Sequence, residues 1–232
     1  MLYKETVHER TLDLIRRLMD DEKLKDFYLV GGTALALMLG HRMSVDIDLF
    51  TTAEFNGDET ARYLRDNYNA VFKNFRNNYI AGYMEDIQFD MLIHQYPHIN
   101  PLVNAEGIRM SSLEDIAAMK INAIAGNGSR IKDFVDIHYL LKVISYEQML
   151  DAYSAKYPNI DVKQARMSLL YFDDIDFTTK VVLMKDVFKW NEVKNSIKNA
   201  SEQYDRILKN ALKPEEKTET KQGLARKRGL RP

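Results

Sequence analysis

The sequence contains no cysteine. That absence removes disulfides, thiolate metal sites and thiol nucleophiles together, and leaves Asp, Glu and His as the side chains able to hold a metal. No apolar run approaches the roughly 18–20 residues needed to span a bilayer, so no membrane association is expected. The first residues, Met1-Leu2-Tyr3-Lys4-Glu5, show no basic segment leading into an apolar one of the secretory kind. The protein is therefore read as cytoplasmic. A charge excess is missing too: 33 basic against 34 acidic residues give a net charge of -1, which does not by itself announce a nucleic-acid binder. Ten phenylalanines and thirteen tyrosines show no spacing that marks an RNA-stacking platform.

What is present is an ordinary globular composition, 45% hydrophobic and 29% charged over 232 residues. That length buries a substantial core, in one large or two small domains at about 100–200 residues each. Val7, Leu12, Leu14, Ile15 and Leu18 fall near helical spacing and predict an amphipathic helix within residues 4–22. The apolar run Phe27-Tyr28-Leu29-Val30 ends at Gly31-Gly32, and Thr33 to Leu39 is rich in helix formers and stops at Gly40. This predicts a strand, a tight turn and a helix. Residues 44–50 alternate as a strand does, and 56–67 read as helical. Val71-Phe72 and residues 79–94 read as strands, with Glu85-Asp86 turning a hairpin. Past residue 110 helices are expected over 112–125, 131–144, 146–156, 161–171 and 178–212, with capping-box patterns at Ser111-Ser112-Leu113-Glu114 and Ser145-Tyr146-Glu147-Gln148. The fold class is α+β: a mixed-sheet domain with helices over 1–110 and a helical domain over 111–212 that closes the cleft. Residues 213–232, which end in Arg226-Lys227-Arg228-Gly229-Leu230-Arg231-Pro232, read as a disordered charged tail, either simply solvated or a contact for RNA or a partner protein.

Residues two apart on a strand point the same way, so Asp46 and Asp48 project from one face while Val45, Ile47 and Leu49 pack on the other. Paired carboxylates repel and raise one another's pKa unless a cation lies between them, which points to a divalent metal. Magnesium takes one or two protein carboxylates and completes its shell with water and phosphate oxygens. Manganese is the natural substitute. Gly31 and Gly32 let backbone N–H groups approach a triphosphate, the next helix presents its positive end, and Thr33 offers a hydroxyl donor. In residues 87–93, Ile87, Phe89, Met91 and Ile93 share one face and Gln88, Asp90 and Leu92 the other. Asp90 is then a third carboxylate, able to complete a two-metal site or to accept a hydroxyl proton. Singly, a glycine pair is only a turn and Asp-x-Asp occurs in many surface strands; their order and spacing give them weight.

The runs Val30-Gly31-Gly32-Thr33-Ala34-Leu35-Ala36-Leu37 and Gly40-His41-Arg42-Met43-Ser44-Val45-Asp46-Ile47-Asp48-Leu49-Phe50 resemble the nucleotidyltransferase superfamily that includes DNA polymerase β. Leu113 to Lys120 and Arg130 to Ile137 narrow the resemblance to the AbiEii family, the toxin half of the AbiE type IV toxin–antitoxin systems, and Tyr171-Phe172-Asp173-Asp174 looks like a fourth element, so that the likeness covers about residues 25–210. The resemblance implies a nucleotidyltransferase-type sheet domain and transfer of a nucleoside monophosphate from an NTP to an acceptor hydroxyl. RNA, at the 3′ end of tRNA, is the implied acceptor, and an AbiEi-type antitoxin the implied partner. Asp46, Asp48 and Asp90 become metal-binding and catalytic residues with Lys120. Gly31, Gly32, Thr33, Arg42, Ser44, Lys120, Arg130, Lys132, Asp133 and Asp136 become nucleotide-binding.

Blander readings stand beside these. Lys120 falls on the apolar stripe of Leu113, Ile116, Ala117, Ile121 and Ile124, so it either snorkels to water or reaches into the cleft. Lys132 and Asp136 could form a surface pair worth roughly 0.2–0.5 kcal/mol; by the resemblance, basic groups here face nucleotide or acceptor and the acids orient them. Arg42 meets phosphate or braces the carboxylates. Asp173, Asp174 and Asp176 are read as capping or hydrogen-bonding residues, His94 and His98 lack a third zinc ligand, His41 is read as structural or exposed, and Trp190 as core. The rival functions are an NTP-binding regulatory protein without turnover and a nucleotidyltransferase acting on a protein or an antibiotic. A glycosyltransferase would leave the glycine turn unexplained.

Overall fold

The computed structural model describes residues 1–211. The tail expected over 213–232 lies outside the described residues, as does residue 212. After a 3-10 turn at Lys4–Thr6 come α1 (Glu9–Asp20), a second 3-10 turn at Glu22–Leu24, β1 (Tyr28–Leu29), α2 (Gly31–Leu39), β2 (Ile47–Thr51) and α3 (Gly57–Tyr68). The strands β3 (Val71–Arg76), β4 (Tyr79–Met84), β5 (Ile87–Ile93), β6 (Val103–Ala105) and β7 (Ile108–Met110) follow. The remainder is helical: α4 (Leu113–Gly126), α5 (Ile131–Leu140), α6 (Tyr146–Lys156), α7 (Val162–Leu169) and α8 (Trp190–Ala211). The fold is thus a mixed α+β unit followed by a helical region.

Seven strands form one sheet in the order β3-β4-β5-β2-β1-β7-β6. β2 runs parallel to β5 and β1 parallel to β7, while the other neighbours are antiparallel. The period-two pattern sorts the two faces. Ile47, Leu49, Ile80, Met84, Phe89 and Met91 are fully buried on one of them, which leaves Asp48, Asp90 and Leu92 on the other. The hairpin at Glu85-Asp86 forms as expected, with both residues at positive φ (52° and 66°), the backbone a two-residue hairpin turn demands. Gly40 ends α2 in the left-handed conformation at φ 66°, donating its N–H to the Ala36 carbonyl.

Several local expectations shift. The strand predicted over 44–50 begins only at Ile47, and Val45 is 46% exposed rather than packed. The backbone ahead of it is engaged elsewhere: Ser44 N–H donates to the Thr6 carbonyl at 2.9 Å, and the Thr33 hydroxyl donates to the Asp46 carbonyl. The cap of α4 lies one residue later than expected, with Ser112 accepting from Asp115 N–H at 3.0 Å. Ser145 and Gln148 form the expected capping box. The helix predicted over 178–212 starts at Trp190. Before it, residues 182–184 run as an extended strap along 41–43, with Met43 N–H donating to Val182 O at 2.9 Å and Met184 N–H to His41 O at 3.0 Å. The β-branched residues Thr178, Thr179, Val181 and Val182 suit an extended backbone better than a helix. The hairpin β6–β7, turned at Glu106-Gly107, was not foreseen.

Candidate active site

The parallel pairing of β2 and β5 sets Asp48 directly opposite Asp90. In a parallel ladder, register partners point to the same face, so two carboxylates from segments 42 residues apart are brought side by side. Asp46 joins them from the segment just before β2. All three line one cavity of about 260 Å³, together with Gly31, Gly32, Arg42, Ser44, Lys120, Arg130, Lys132 and Asp133. Its apolar wall is formed by Phe50 and Leu92, register partners on the same two strands, and by Ile116 and Met119 of α4. The two expected residues it does not reach are Thr33 and Asp136.

The glycines are demanded by close approach. Gly31 sits at φ +67°, and a Cβ there would lie 2.5 Å from Asp48 Oδ2. A Cβ on Gly32 would lie 2.4 Å from Arg42 Nη2. Neither position has room for a side chain without moving a charged group. α2 begins at this turn with no side-chain cap and no acid in its first turn, and α5 likewise begins at Arg130 without a side-chain cap. By contrast α3, α4, α6 and α7 are capped by Asn56, Ser112, Ser145 and Asp161. Uncapped N–H groups at two helix starts beside the cavity form an arrangement that favours an anion.

The three carboxylates contrast with the acids behind them. Among the described residues none of Asp46, Asp48 and Asp90 has a cationic partner within 4.0 Å. Asp90 accepts a hydrogen bond from the Tyr79 hydroxyl at 3.2 Å. Burial pushes the Asp48 carboxyl up to about 6; neighbouring Lys120 opposes the shift, and Asp90 and Asp46 add to it. Nor do His, Asp and Glu side chains gather in threes or more into a ready metal cage among the described residues.

Asp136, by contrast, is fully buried and saturated. It accepts from Arg42 through Nε at 2.6 Å and Nη2 at 2.8 Å, from Lys120 Nζ at 2.7 Å, and pairs with His41 Nε2 at 2.9 Å. Burial works against its ionised form, but Arg42, Lys120 and the His41 hydrogen bond hold its pKa well below the usual carboxylate value. Lys120 also donates to Asp133 Oδ1 at 2.5 Å, and despite its burial the two acids raise its pKa. Burial lowers the His41 pKa, against the pull of Asp136, so the ring is held neutral at pH 7.

These contacts settle several open alternatives. Lys120 does not snorkel, since its side chain is 9% exposed and its ammonium ends between two carboxylates at the cavity wall. Arg42 braces a carboxylate, but that carboxylate is Asp136. Asp136 is not half of a surface pair with Lys132. Thr33, expected as a phosphate donor, is 1% exposed and spends its hydroxyl on the Asp46 carbonyl while sharing a 2.9 Å bond with Ser44. His41 is buried rather than exposed, with Nε2 on Asp136. Asp176 caps a turn by accepting from Thr178 N–H and Oγ1, and none of Asp173, Asp174 and Asp176 caps a helix. Trp190 packs against Phe134, Phe172 and Phe177. His94 stacks on Phe50 at 4.9 Å.

A mixed sheet that carries paired aspartates beside a glycine turn, followed by helices that bring a lysine to the wall of the same cavity, is the fold class of the polymerase β-type nucleotidyltransferases. Residues 13–173 match the family described as "Nucleotidyl transferase AbiEii toxin, Type IV TA system", and the chain belongs to that family. The chain is similar to the uncharacterized protein aq_aa25 of Aquifex aeolicus (strain VF5), 32% identical over 186 residues, covering 77% of this chain and 88% of that protein. Among solved structures it is similar to a candidate nucleotidyltransferase from H. pylori, with a TM-score of 0.53 and 18% identity over 89% of this chain and 100% of that one. At that identity the likeness bears on the fold alone. No helix among the described residues is long and apolar enough to cross a membrane.

Proposed function

We propose that this protein transfers a nucleoside monophosphate from an NTP to an acceptor hydroxyl on RNA, at the 3′ end of tRNA, as the toxin of a toxin–antitoxin pair whose partner is an AbiEi-type antitoxin. The observation that carries the reading is the register of Asp48 on Asp90 beside the glycine turn, in a cavity where Asp46, Asp48 and Asp90 have no ion-pair partner among the described residues. The donor set, three carboxylates and no sulfur, fits magnesium or manganese. Asp46, Asp48 and Asp90 would hold the ion jointly with phosphate oxygens and water, in keeping with the absence of a ready protein cage among the described residues. When bound, such an ion offsets phosphate charge and lowers the pKa of a hydroxyl.

The chain's own groups supply the rest. The uncapped amides at Gly31 and Gly32 face the triphosphate, and Arg130 and Lys132 provide positive charge on the cavity lining. Lys120, fixed by Asp133 and Asp136, keeps a positive centre at one position. Phe50 and Leu92 offer an apolar wall for the base. Asp90 accepts the proton of the acceptor hydroxyl as its oxygen bonds the α-phosphorus; the bond from that phosphorus to the β-phosphate bridging oxygen breaks and pyrophosphate leaves. The sheet part to residue 110 then binds nucleotide and the helical part from 111 closes over it, the two acting as separate domains.

The test is incorporation of labelled NTP into RNA with and without magnesium, in the parent and in Asp46→Ala. Metal-dependent incorporation lost in the variant supports the reading. Tight NTP binding without turnover would instead favour a regulatory protein, and labelling of protein or antibiotic but not RNA would move the acceptor.

A further inference from the structure

The face of the sheet that carries Asp48 and Asp90 does not end at the cavity. It continues across β5, β4 and β3, where Gln88, Tyr79, Tyr83, Lys73, Asn74 and Arg76 lie beyond the carboxylates. The register fixes this: Tyr79 is paired with Leu92, Ala81 with Asp90 and Tyr83 with Gln88, and on the next strand Arg76 is paired with Tyr79 and Val71 with Tyr83. The irregularity between Phe72 and Asn74 turns Lys73 onto this face, where its ammonium bonds Gln88 Oε1 at 3.2 Å. The opposite face of the same strands is closed by Ile80, Met84, Phe89 and Met91. On this one Tyr83 is 37% and Val71 67% exposed, and Lys73, Asn74 and Arg76 are also exposed.

Two features repeat on it. Lys73 Nζ lies 4.4 Å from the centre of the Tyr83 ring, and Arg76 Cζ lies 5.0 Å from that of Tyr79. Each is an aromatic plane with a cation over it, at two positions four residues apart on β4, about 13 Å along a strand. The inner tyrosine leads straight to the carboxylates, since its hydroxyl bonds Asp90 Oδ1. Both charges contributed by β3 are positive. Asp90 lies level with Ala81, between the two tyrosines in register, and the Tyr79 end is the one that adjoins the cavity wall through Leu92.

We propose that this open face is the track along which a single-stranded RNA acceptor reaches the site, its terminal nucleotide over Tyr79 and an upstream one over Tyr83. A polyanionic chain with flat bases matches both halves of the repeat: phosphates meet Lys73 and Arg76, and bases displace the cations from the rings and stack there. A protein acceptor lacks the repeated phosphate charge and flat bases that two ring-and-cation pairs suit. The proposal rests on the nucleotidyltransferase reading above, because it takes Asp90 as the end of the path.

The test uses the full chain and a fluorescein-labelled single-stranded RNA 12-mer, followed by anisotropy without NTP. NTP binding and the melting temperature are measured in parallel. Tyr83→Ala should weaken RNA binding by about tenfold. K73E combined with R76E should weaken it further and flatten its salt dependence, while K73Q alone should lower the slope of log affinity against log salt by about one. NTP affinity and melting temperature should stay at parental values in all of these. Unchanged RNA affinity in the double variant overturns the proposal, as does equal loss of RNA and NTP binding. RNA binding that depends on this face in a protein without turnover would leave the track standing and remove the enzyme reading instead.

Discussion

Two clusters of acids lie within one wall of this molecule and are treated in opposite ways. Asp136 is buried against Lys120, Arg42 and His41, and Asp133 against Lys120, so each of these acids has a cation in contact inside the chain, although Asp133 Oδ2 and His41 Nδ1 have no hydrogen-bond partner. Asp46, Asp48 and Asp90 face a cavity with no basic partner within reach among the described residues, although Lys120 and Arg42 line the same space. The contrast teaches where each cluster's counter-charge comes from. Ion pairs closed within the chain position groups and hold the fold; carboxylates without such a pair are a place for charge supplied from outside. The same division applies to the backbone, where α3, α4, α6 and α7 open on side-chain caps but α2 opens uncapped on the carboxylates.

The comparison is broken most forcefully at its saturated side. Asp136→Ala strands three buried nitrogenous groups, and removal of one partner from such a cluster costs about 3–5 kcal/mol. The melting temperature should fall by about 10 °C; a fall of only a degree or two would show that the network is better hydrated than the contacts imply.

The unsatisfied side should respond with the opposite sign. Asp48 titrates at about 6 in the folded state against 3.8 for a free side chain. A raised folded pKa means that ionised Asp48 opposes folding above pH 6, and that the penalty is relieved as pH falls from 6 towards 3.8. Asp48→Asn should therefore stabilise the metal-free protein at pH 7.5, by at most about 3 kcal/mol, with the gap over the parent closing towards pH 4. Chemical denaturation in EDTA at several pH values reads this directly, and a destabilised variant at pH 7.5 would reverse the assignment. The same substitution should abolish nucleotide incorporation.

Gly31→Ala sharpens the link between the turn and the carboxylates. Positive φ costs a side chain about 1 kcal/mol, and the new Cβ must displace Asp48 Oδ2. Its stability loss should be modest and its loss of NTP binding disproportionate; loss of both in proportion would make the glycine merely a turn residue. At the small end, Lys132→Ala should leave stability within about 0.5 kcal/mol and weaken NTP binding several-fold, as isothermal titration would show.

Legibility in the sequence followed the physical signals available to it. The glycine turn, the alternation that set Asp90 opposite the apolar face, and a lysine on an apolar helix stripe were all readable, because each breaks a local pattern. The partners of Lys120 carried a matching signal that went unused: Asp136 sits among Phe134, Val135 and Ile137 as an acid where packing favours hydrocarbon. Opposite charges misplaced on two apolar helix faces suggest that the faces meet. The buried pair Asp115–Lys156, at 2.7 Å, joins α4 to α6 by the same logic. Other features were out of reach. No periodicity reveals that Thr33 turns its hydroxyl to the backbone, that residues 182–184 lie along 41–43, or that β3 through β5 keep one face open, because each depends on contacts distant in sequence.

Calorimetric titration of magnesium into the protein saturated with a non-hydrolysable NTP analogue, for the parent and for Asp48→Asn, tests most directly whether the unpaired carboxylates await an external cation. A saturable magnesium site in the parent that vanishes in a variant of equal or greater stability is the outcome expected. Magnesium binding that survives in Asp48→Asn, or is absent from the parent, would contradict it.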